Sequence, residues 1–386
     1  MVTTRTQLLS GRGAAIRHLD LVTVGAASGL VIMGLLSVFT ATVDPDKGGL
    51  LQAPSVLFNR QLVFLVIGGL ALLGMILFDY RLLKVYAVGL YLANLMLLIV
   101  VLTPIGDTVK GSQRWISVGL LNLQPSEIAK PVLVIALAAY LSERAGPLDM
   151  GDILRCGAIT APYALLVFAQ PDFGTFLVLG FVVLVMLVIG GADWRHLVVL
   201  LALTTIGAGL IFQLGIVRDY QRTRLVAFLD PEGDPFREGY NYRLTRQAVG
   251  NGGLTGRGIL ERDAVNLTNL KFVREQQTDF VFTVVAEQMG FVGGVTLIVL
   301  YGVVFLRGLG GAGMARDRFG SLIATGVVGY LAFQTFVNIG MTVGLVPITG
   351  IPLPFVSYGG SSLLSSAISV GIVLSVRMRR FARPLG

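Results

Sequence analysis

Long apolar runs separated by short polar breaks set the rhythm of this chain. The runs fall at roughly 21–43, 62–79, 84–104, 126–141, 153–170, 174–191, 196–217, 280–306, 319–344 and 361–376. A helix of about 20 apolar residues crosses the hydrocarbon core of a bilayer. A membrane barrel would instead show short alternating segments, so strands are not expected. Charges and turn residues mark the ends. Asp20 precedes the first run, Asp79 and Arg81 separate the second from the third, and Arg377 follows the last. The pattern predicts an all-α integral membrane protein of ten transmembrane helices.

Composition agrees with that pattern. Of 386 residues, 54% are hydrophobic and 13% charged, against about a quarter charged in a soluble domain. The net charge of +8 would suggest nucleic acid in a soluble protein. In a membrane protein the better reading is short cytoplasmic loops rich in Arg and Lys. With the termini inside, the inner segments hold fifteen Lys and Arg, and the short outer loops hold four: Lys47, Arg60, Lys110 and Arg114. This bias predicts that both termini are cytoplasmic. The first run shows no small-residue cleavage site after it, so it reads as a span that stays. No internal repeat is visible, which disfavours an inverted-repeat transporter. One cysteine, Cys156, and two distant histidines, His18 and His196, exclude an intrachain disulfide and argue against Cys- or His-based metal sites.

One region departs from the rhythm. Residues 218–279 form a polar stretch with ten basic and nine acidic residues and the Gly-rich run NGGLTGRG at 251–258. It lies between the seventh and eighth spans, on the extracytoplasmic side. Long loops in compact proteins are usually functional or disordered. Scattered aromatics, among them Phe228, Tyr242 and Phe272, predict an ordered loop packed on the bundle. The chain is then one polytopic domain, 1–386, with a cytoplasmic N-terminus (1–20), the large outer loop (218–279) and a cytoplasmic C-terminus (377–386).

Charges inside a span are costly and usually face a cavity or a partner. Glu127 and Lys130 share a helical face in QPSEIAKP; they fit an ion pair that locks the bundle, or substrate handling. Asp172 in QPDFG suits a tight turn by geometry alone. Asp279 in REQQTDF stands where the long loop meets the eighth span, beside Phe280 and Phe282. It fits a base, its pKa raised by partial desolvation, or a charge complementing the helix dipole. Glu287 is eight residues further on, inside the span. The stretch VPITGIPLPFVSYGGSS at 346–362 has too many prolines and glycines for one unbroken helix. Such backbone can line a cavity and present N–H groups to an anion.

The motifs GSQRW (111–115), QPSEIAK (124–130), QPDFGT (170–175), YNYRLTRQAVGNGGLTGRG (240–258), QTDFVFTVVAEQMG (277–290), NIG (338–340) and GIPLPFVSYGGSS (350–362) run in order along the chain. Together they resemble the SEDS family (shape, elongation, division and sporulation), which includes RodA, FtsW and SpoVE. GIPLP followed by FVSYGGSS looks more like RodA than FtsW.

The resemblance implies a ten-span peptidoglycan glycosyltransferase in the bacterial cytoplasmic membrane. It would polymerise lipid II on the outer face, alongside a class B penicillin-binding protein that crosslinks the strands. It implies that Asp279 is the catalytic aspartate. Attack by a sugar 4-hydroxyl on the anomeric carbon would invert it and expel lipid pyrophosphate, which suits one base and no covalent intermediate. The implied substrate-binding residues are Arg114, Trp115, Glu127, Lys130, Asp172, Arg243, Arg246, Ser357 and Tyr358, with Arg257 a further candidate cation for the pyrophosphate. A divalent cation, Mg or Mn, could help there, but no ligands for it can be named. Two rivals remain from the residues: a lipid II flippase, or a scaffold that only recruits the transpeptidase. Within the family, a division-specific polymerase is the alternative to elongation.

Overall fold

A computed structural model describes residues 18–42, 55–109, 112–119, 121–213, 219–230, 233, 238–258, 267–268 and 272–380. The apolar runs become helices α1 (Leu21–Thr42), α2 (Val56–Leu77), α3 (Tyr80–Val85) and α4 (Ala87–Val101), then α5 (Pro125–Ser142), α6 (Met150–Ala169), α7 (Phe173–Gly190) and α8 (Trp194–Gln213). Helices α9 (Asp219–Leu229) and α10 (Glu238–Asn251) follow within the long loop, then α11 (Val281–Gly313), α12 (Arg318–Val343) and α13 (Gly360–Met378). Eight helices among the described residues are long and apolar enough to cross a membrane. Two shorter apolar helices, Ala87–Val101 and Trp194–Gly207, stand where the third and seventh spans were expected.

Helix boundaries follow capping chemistry. Asp149 and Asp152 form a capping box at the start of α6, and the Asp317 carboxylate accepts from Gly320 N (2.7 Å) at the start of α12. Each satisfies N–H groups that the first turn leaves unpaired. Helix α13 is the central one, with 89% of its span buried. That enclosure explains its serines: Ser361, Ser362, Ser365, Ser366, Ser369 and Ser375 are all buried. Small hydroxyl residues suit close helix contacts inside a membrane bundle.

The expectation of no strands needs correction. Between α4 and α5 an antiparallel meander joins β1 (Asp107–Val109), β2 (Ser112–Val118) and β3 (Leu121–Leu123). Asp107 pairs with Trp115, and Ile116 with Leu123. Strands this short pair with their immediate neighbours and leave no long alternating signal. In the long loop, α10 packs on α11 and α12. A second apolar cluster of Tyr242, Leu244, Val273, Phe280, Met341 and Ile348 fastens the loop to the bundle.

The opposite end is closed by ion pairs. Arg307 grips the Asp20 carboxylate with Nε (3.0 Å) and Nη2 (2.6 Å), Thr23 donates to it at 2.7 Å, and Arg377 adds a contact at 3.1 Å. Burial alone would push the Asp20 carboxyl up, but the bonds from Arg307 and Thr23 and the charges of Arg377 and Arg307 hold it at about 2. A depressed carboxyl contributes stability above its ordinary value of 3.8, and that stability is lost as pH falls toward 2. Replacing Asp20 by Asn should cost about 2 kcal/mol at neutral pH. Thermal unfolding in detergent would read it: the wild-type advantage over D20N should be full at pH 6 and shrink below pH 4.

Candidate active site

A cavity of about 1330 Å³ opens at the end of the bundle that carries the sheet and the long loop. It is walled by β2, the start of α5, the α6–α7 turn, α9, the coil before α11 and the 346–362 segment. Phe168, Phe173, Phe176, Phe333 and Phe336 also line it, and the rings of Phe168 and Phe173 pack on Phe176 at 5.7 and 6.3 Å.

Asp279 lines the cavity, half-buried. A tight coil sets its position. Glu275, held at φ 53°, accepts with one carbonyl from Thr278 N, Asp279 N and Phe280 N (3.1, 3.0 and 3.3 Å). Behind it, Asn338 of α12 donates to Asp279 O (2.8 Å) and Ile351 O (2.7 Å). One amide thus joins the aspartate backbone to the Pro/Gly-rich segment. Ser357 adds a second tie, donating to Thr278 O (2.6 Å) and accepting from Leu353 N (2.8 Å). Ser357 is therefore buried behind the cavity wall, not among its lining residues. Tyr358 does line it, with the charge of Arg60 acting on its hydroxyl.

On the facing wall, Asp172 caps α7 through Thr175 N (3.2 Å) and also accepts from Gln124, Ser126 and the Thr175 hydroxyl. It serves its turn and lines the cavity as well. Arg114 donates to Gln170 O (2.9 Å) and Pro171 O and lies 3.7 Å from Asp172. Its guanidinium is largely engaged in holding that turn, which carries Pro171 at φ 31°. Trp115, beside it on β2, lines the cavity. Glu127 and Lys130 form a buried pair at 2.7 Å. Glu127 lines the cavity, whereas Lys130 sits behind it, 1% exposed.

The loop arginines lie elsewhere. Arg243 and Arg246 are exposed on α10 and do not line the cavity; Arg246 stacks over Tyr242. Arg257 donates from Nε to Asn251 O (3.1 Å). Sequence reasoning overlooked Arg60, Gln124, Arg224 and Glu275, all of which line the cavity. Arg60 carried a partial signal, as the one cation near the start of the second apolar run. Among the described residues no group of three or more His, Cys, Asp or Glu side chains converges into a metal site.

The Gly-rich run 251–258 packs into a break in a neighbouring helix. Helix α11 breaks at Gly290 (φ 65°, ψ −163°), and the run enters the gap. Arg257 N donates to Glu287 O (3.0 Å) and Gly258 N to Gln288 O (3.1 Å). In return Phe291 N donates to Gly253 O (2.9 Å) and Val292 N to Leu254 O (3.1 Å). Backbone groups freed by the break are thus satisfied by protein, as burial in a membrane bundle demands. The Glu287 carboxylate, fully buried, accepts from Leu267 N (2.9 Å), Thr268 N (2.8 Å) and the Thr268 hydroxyl (2.5 Å). It faces the loop and not the cavity.

Comparison with known proteins follows this geometry. A family model described as cell cycle protein and covering FtsW, RodA and SpoVE matches residues 20–381. The peptidoglycan glycosyltransferase MrdB of Escherichia coli K12 is 34% identical over 351 residues, 91% of this chain and 93% of that protein. Stage V sporulation protein E of Bacillus subtilis is 35% identical over 322 residues, 82% of this chain and 86% of that one. A chain from a solved peptidoglycan synthase complex that coordinates polymerization and crosslinking superposes with a TM-score of 0.78 at 33% identity, covering 95% of this chain and 99% of that one. The rod shape determining protein RodA of Thermus thermophilus gives 0.69 at 31% identity, with 95% and 98% covered.

Proposed function

The chain belongs to the FtsW, RodA and SpoVE family of cell cycle proteins, and from that premise we propose that it polymerises lipid II during wall elongation with Asp279 as general base. It is a multi-pass membrane protein and a peptidoglycan glycosyltransferase. The observation that carries the finer reading is the lining of the cavity. It holds the Asp279 carboxylate and arginines together with a set of phenylalanine rings. A sugar on a polyprenyl diphosphate has those two chemistries in one molecule.

The acceptor 4-hydroxyl attacks the anomeric carbon of the donor sugar. A new C–O bond forms as the bond to the diphosphate oxygen breaks, and the diphosphate leaves with the electron pair. Asp279 takes the hydroxyl proton. Charge growing on the leaving group calls for fixed cations in a water-poor site. Arg60, which lines the cavity, is the candidate for that charge, while Arg114 is largely engaged with the α6–α7 turn. The arginine bias of the loops supports an orientation with both termini in the cytoplasm and the cavity outside. The likeness to a chain of a synthase that polymerises and crosslinks supports a class B penicillin-binding protein as partner.

Purified chain, alone and with its co-purifying transpeptidase, should make glycan polymer from lipid II in detergent. No leaflet exists there to cross, so polymer separates chemistry from flipping. Absence of polymer even with the partner would sink the proposal.

A further inference from the structure

Among the described residues, three arginines line the cavity: Arg60, Arg114 and Arg224. The first lies beside the Tyr358 hydroxyl and the second holds the α6–α7 turn. Arg224 comes from α9, in the long loop, and reaches the 346–352 segment. Gly350 there has φ 75°, a backbone state that L side chains rarely adopt. A Cβ on that glycine would lie 3.3 Å from Asp279 Oδ2 and 3.6 Å from Arg224 Nη1. The carboxylate and the guanidinium therefore press on the same point of backbone from two different elements.

Two hydrogen bonds at Asp279 act on its main chain. Glu275 O and Asn338 hold the backbone N–H and carbonyl, and the Glu275 carboxylate accepts from Thr278 at 3.4 Å. None of these sets the direction of the carboxylate. A planar guanidinium that meets the same Gly350 can, because its donors are fixed in a fork that matches a carboxylate.

We propose that Arg224 is a positioning residue: across Gly350, it aims the Asp279 carboxylate at the acceptor hydroxyl, so that α9 completes the site. This rests on the reading of Asp279 as the base. It assigns a residue of the long loop to the direction of the catalytic carboxylate, and it gives Gly350 a role as the gap through which the two meet.

The test is steady-state polymerisation by the full chain with its transpeptidase partner, using lipid II in detergent. Arg224→Gln should lower kcat roughly 10- to 100-fold, with KM for lipid II changed less than about 3-fold. Arg224→Lys should recover part of the rate, since it restores the charge without the fork. Gly350→Ala should reproduce the fall in kcat while leaving α9 untouched. Wild-type kcat in R224Q, or a loss wholly in KM, would overturn the proposal; in the latter case the guanidinium binds substrate. If R224Q unfolds early, R224K and G350A carry the same decision. D279N is run in parallel. Activity in D279N removes the base reading itself, whereas a dead D279N beside an unimpaired R224Q removes only the role of Arg224.

Discussion

Asp279→Asn is expected to leave a folded, membrane-inserted protein that makes no detectable glycan from lipid II. The substitution is nearly isosteric. Two hydrogen bonds hold the main chain of residue 279: Asn338 donates to its carbonyl and its N–H donates to Glu275 O. Neither depends on the carboxylate. What disappears is the capacity to take a proton. A positioned base contributes about 10²- to 10⁴-fold to a rate, and at that loss polymer should fall below detection. Two measurements separate chemistry from collapse. Thermal unfolding in detergent should stay close to wild type, and the variant should still co-purify with its transpeptidase. Polymerisation by D279N at the normal rate would remove Asp279 from the mechanism and leave the cavity without a named base.

Much of the architecture was legible because apolar length alone dictates membrane helices. The run 174–191 became α7, Phe173–Gly190, and 319–344 became α12, Arg318–Val343. Local chemistry spoiled the expectation elsewhere. The run 84–104 is divided at Tyr86, which separates α3 from α4. The three-stranded meander went unseen because seven or fewer residues per strand carry no period that stands out beside long spans. The site was legible only through motifs, and a motif does not say where a side chain points. Ser357 and Tyr358 are adjacent in sequence, yet Tyr358 lines the cavity and Ser357 ties the wall from behind. Lys130 is three residues from Glu127 and one layer deeper. Arg224 lay in no motif, and its relation to Asp279 depends on a glycine 126 positions away in the chain. Contacts of that separation are made by the fold and not by any local pattern.

The docking of the Gly-rich run is the most sensitive structural joint, and Gly256→Ala is the substitution with the largest expected effect on folding. Gly256 has φ 85°, where a Cβ is strained on any backbone. A Cβ there would also overlap the carbonyl of Gln288 and crowd Gly290 N. Neither neighbour is a side chain that could rotate away, so the run must leave the gap. Withdrawal would break the bonds of Arg257 and Gly258 to Glu287 O and Gln288 O, and those of Phe291 and Val292 to Gly253 O and Leu254 O. Backbone groups in the break of α11 would lose their protein partners. Strain and overpacking together cost about 3 kcal/mol or more, a large share of the stability of most proteins. G256A should therefore melt well below wild type, and protease should cut the long loop at lower concentration. Activity should fall with it, because α11 above the break begins two residues after Asp279. Gly250 gives the comparison: it sits in the same stretch with open space where its Cβ would be. G250A should leave both melting and polymerisation near wild type. If G256A matched it, the run would have to be read as a loosely held loop rather than the insert that satisfies a broken helix.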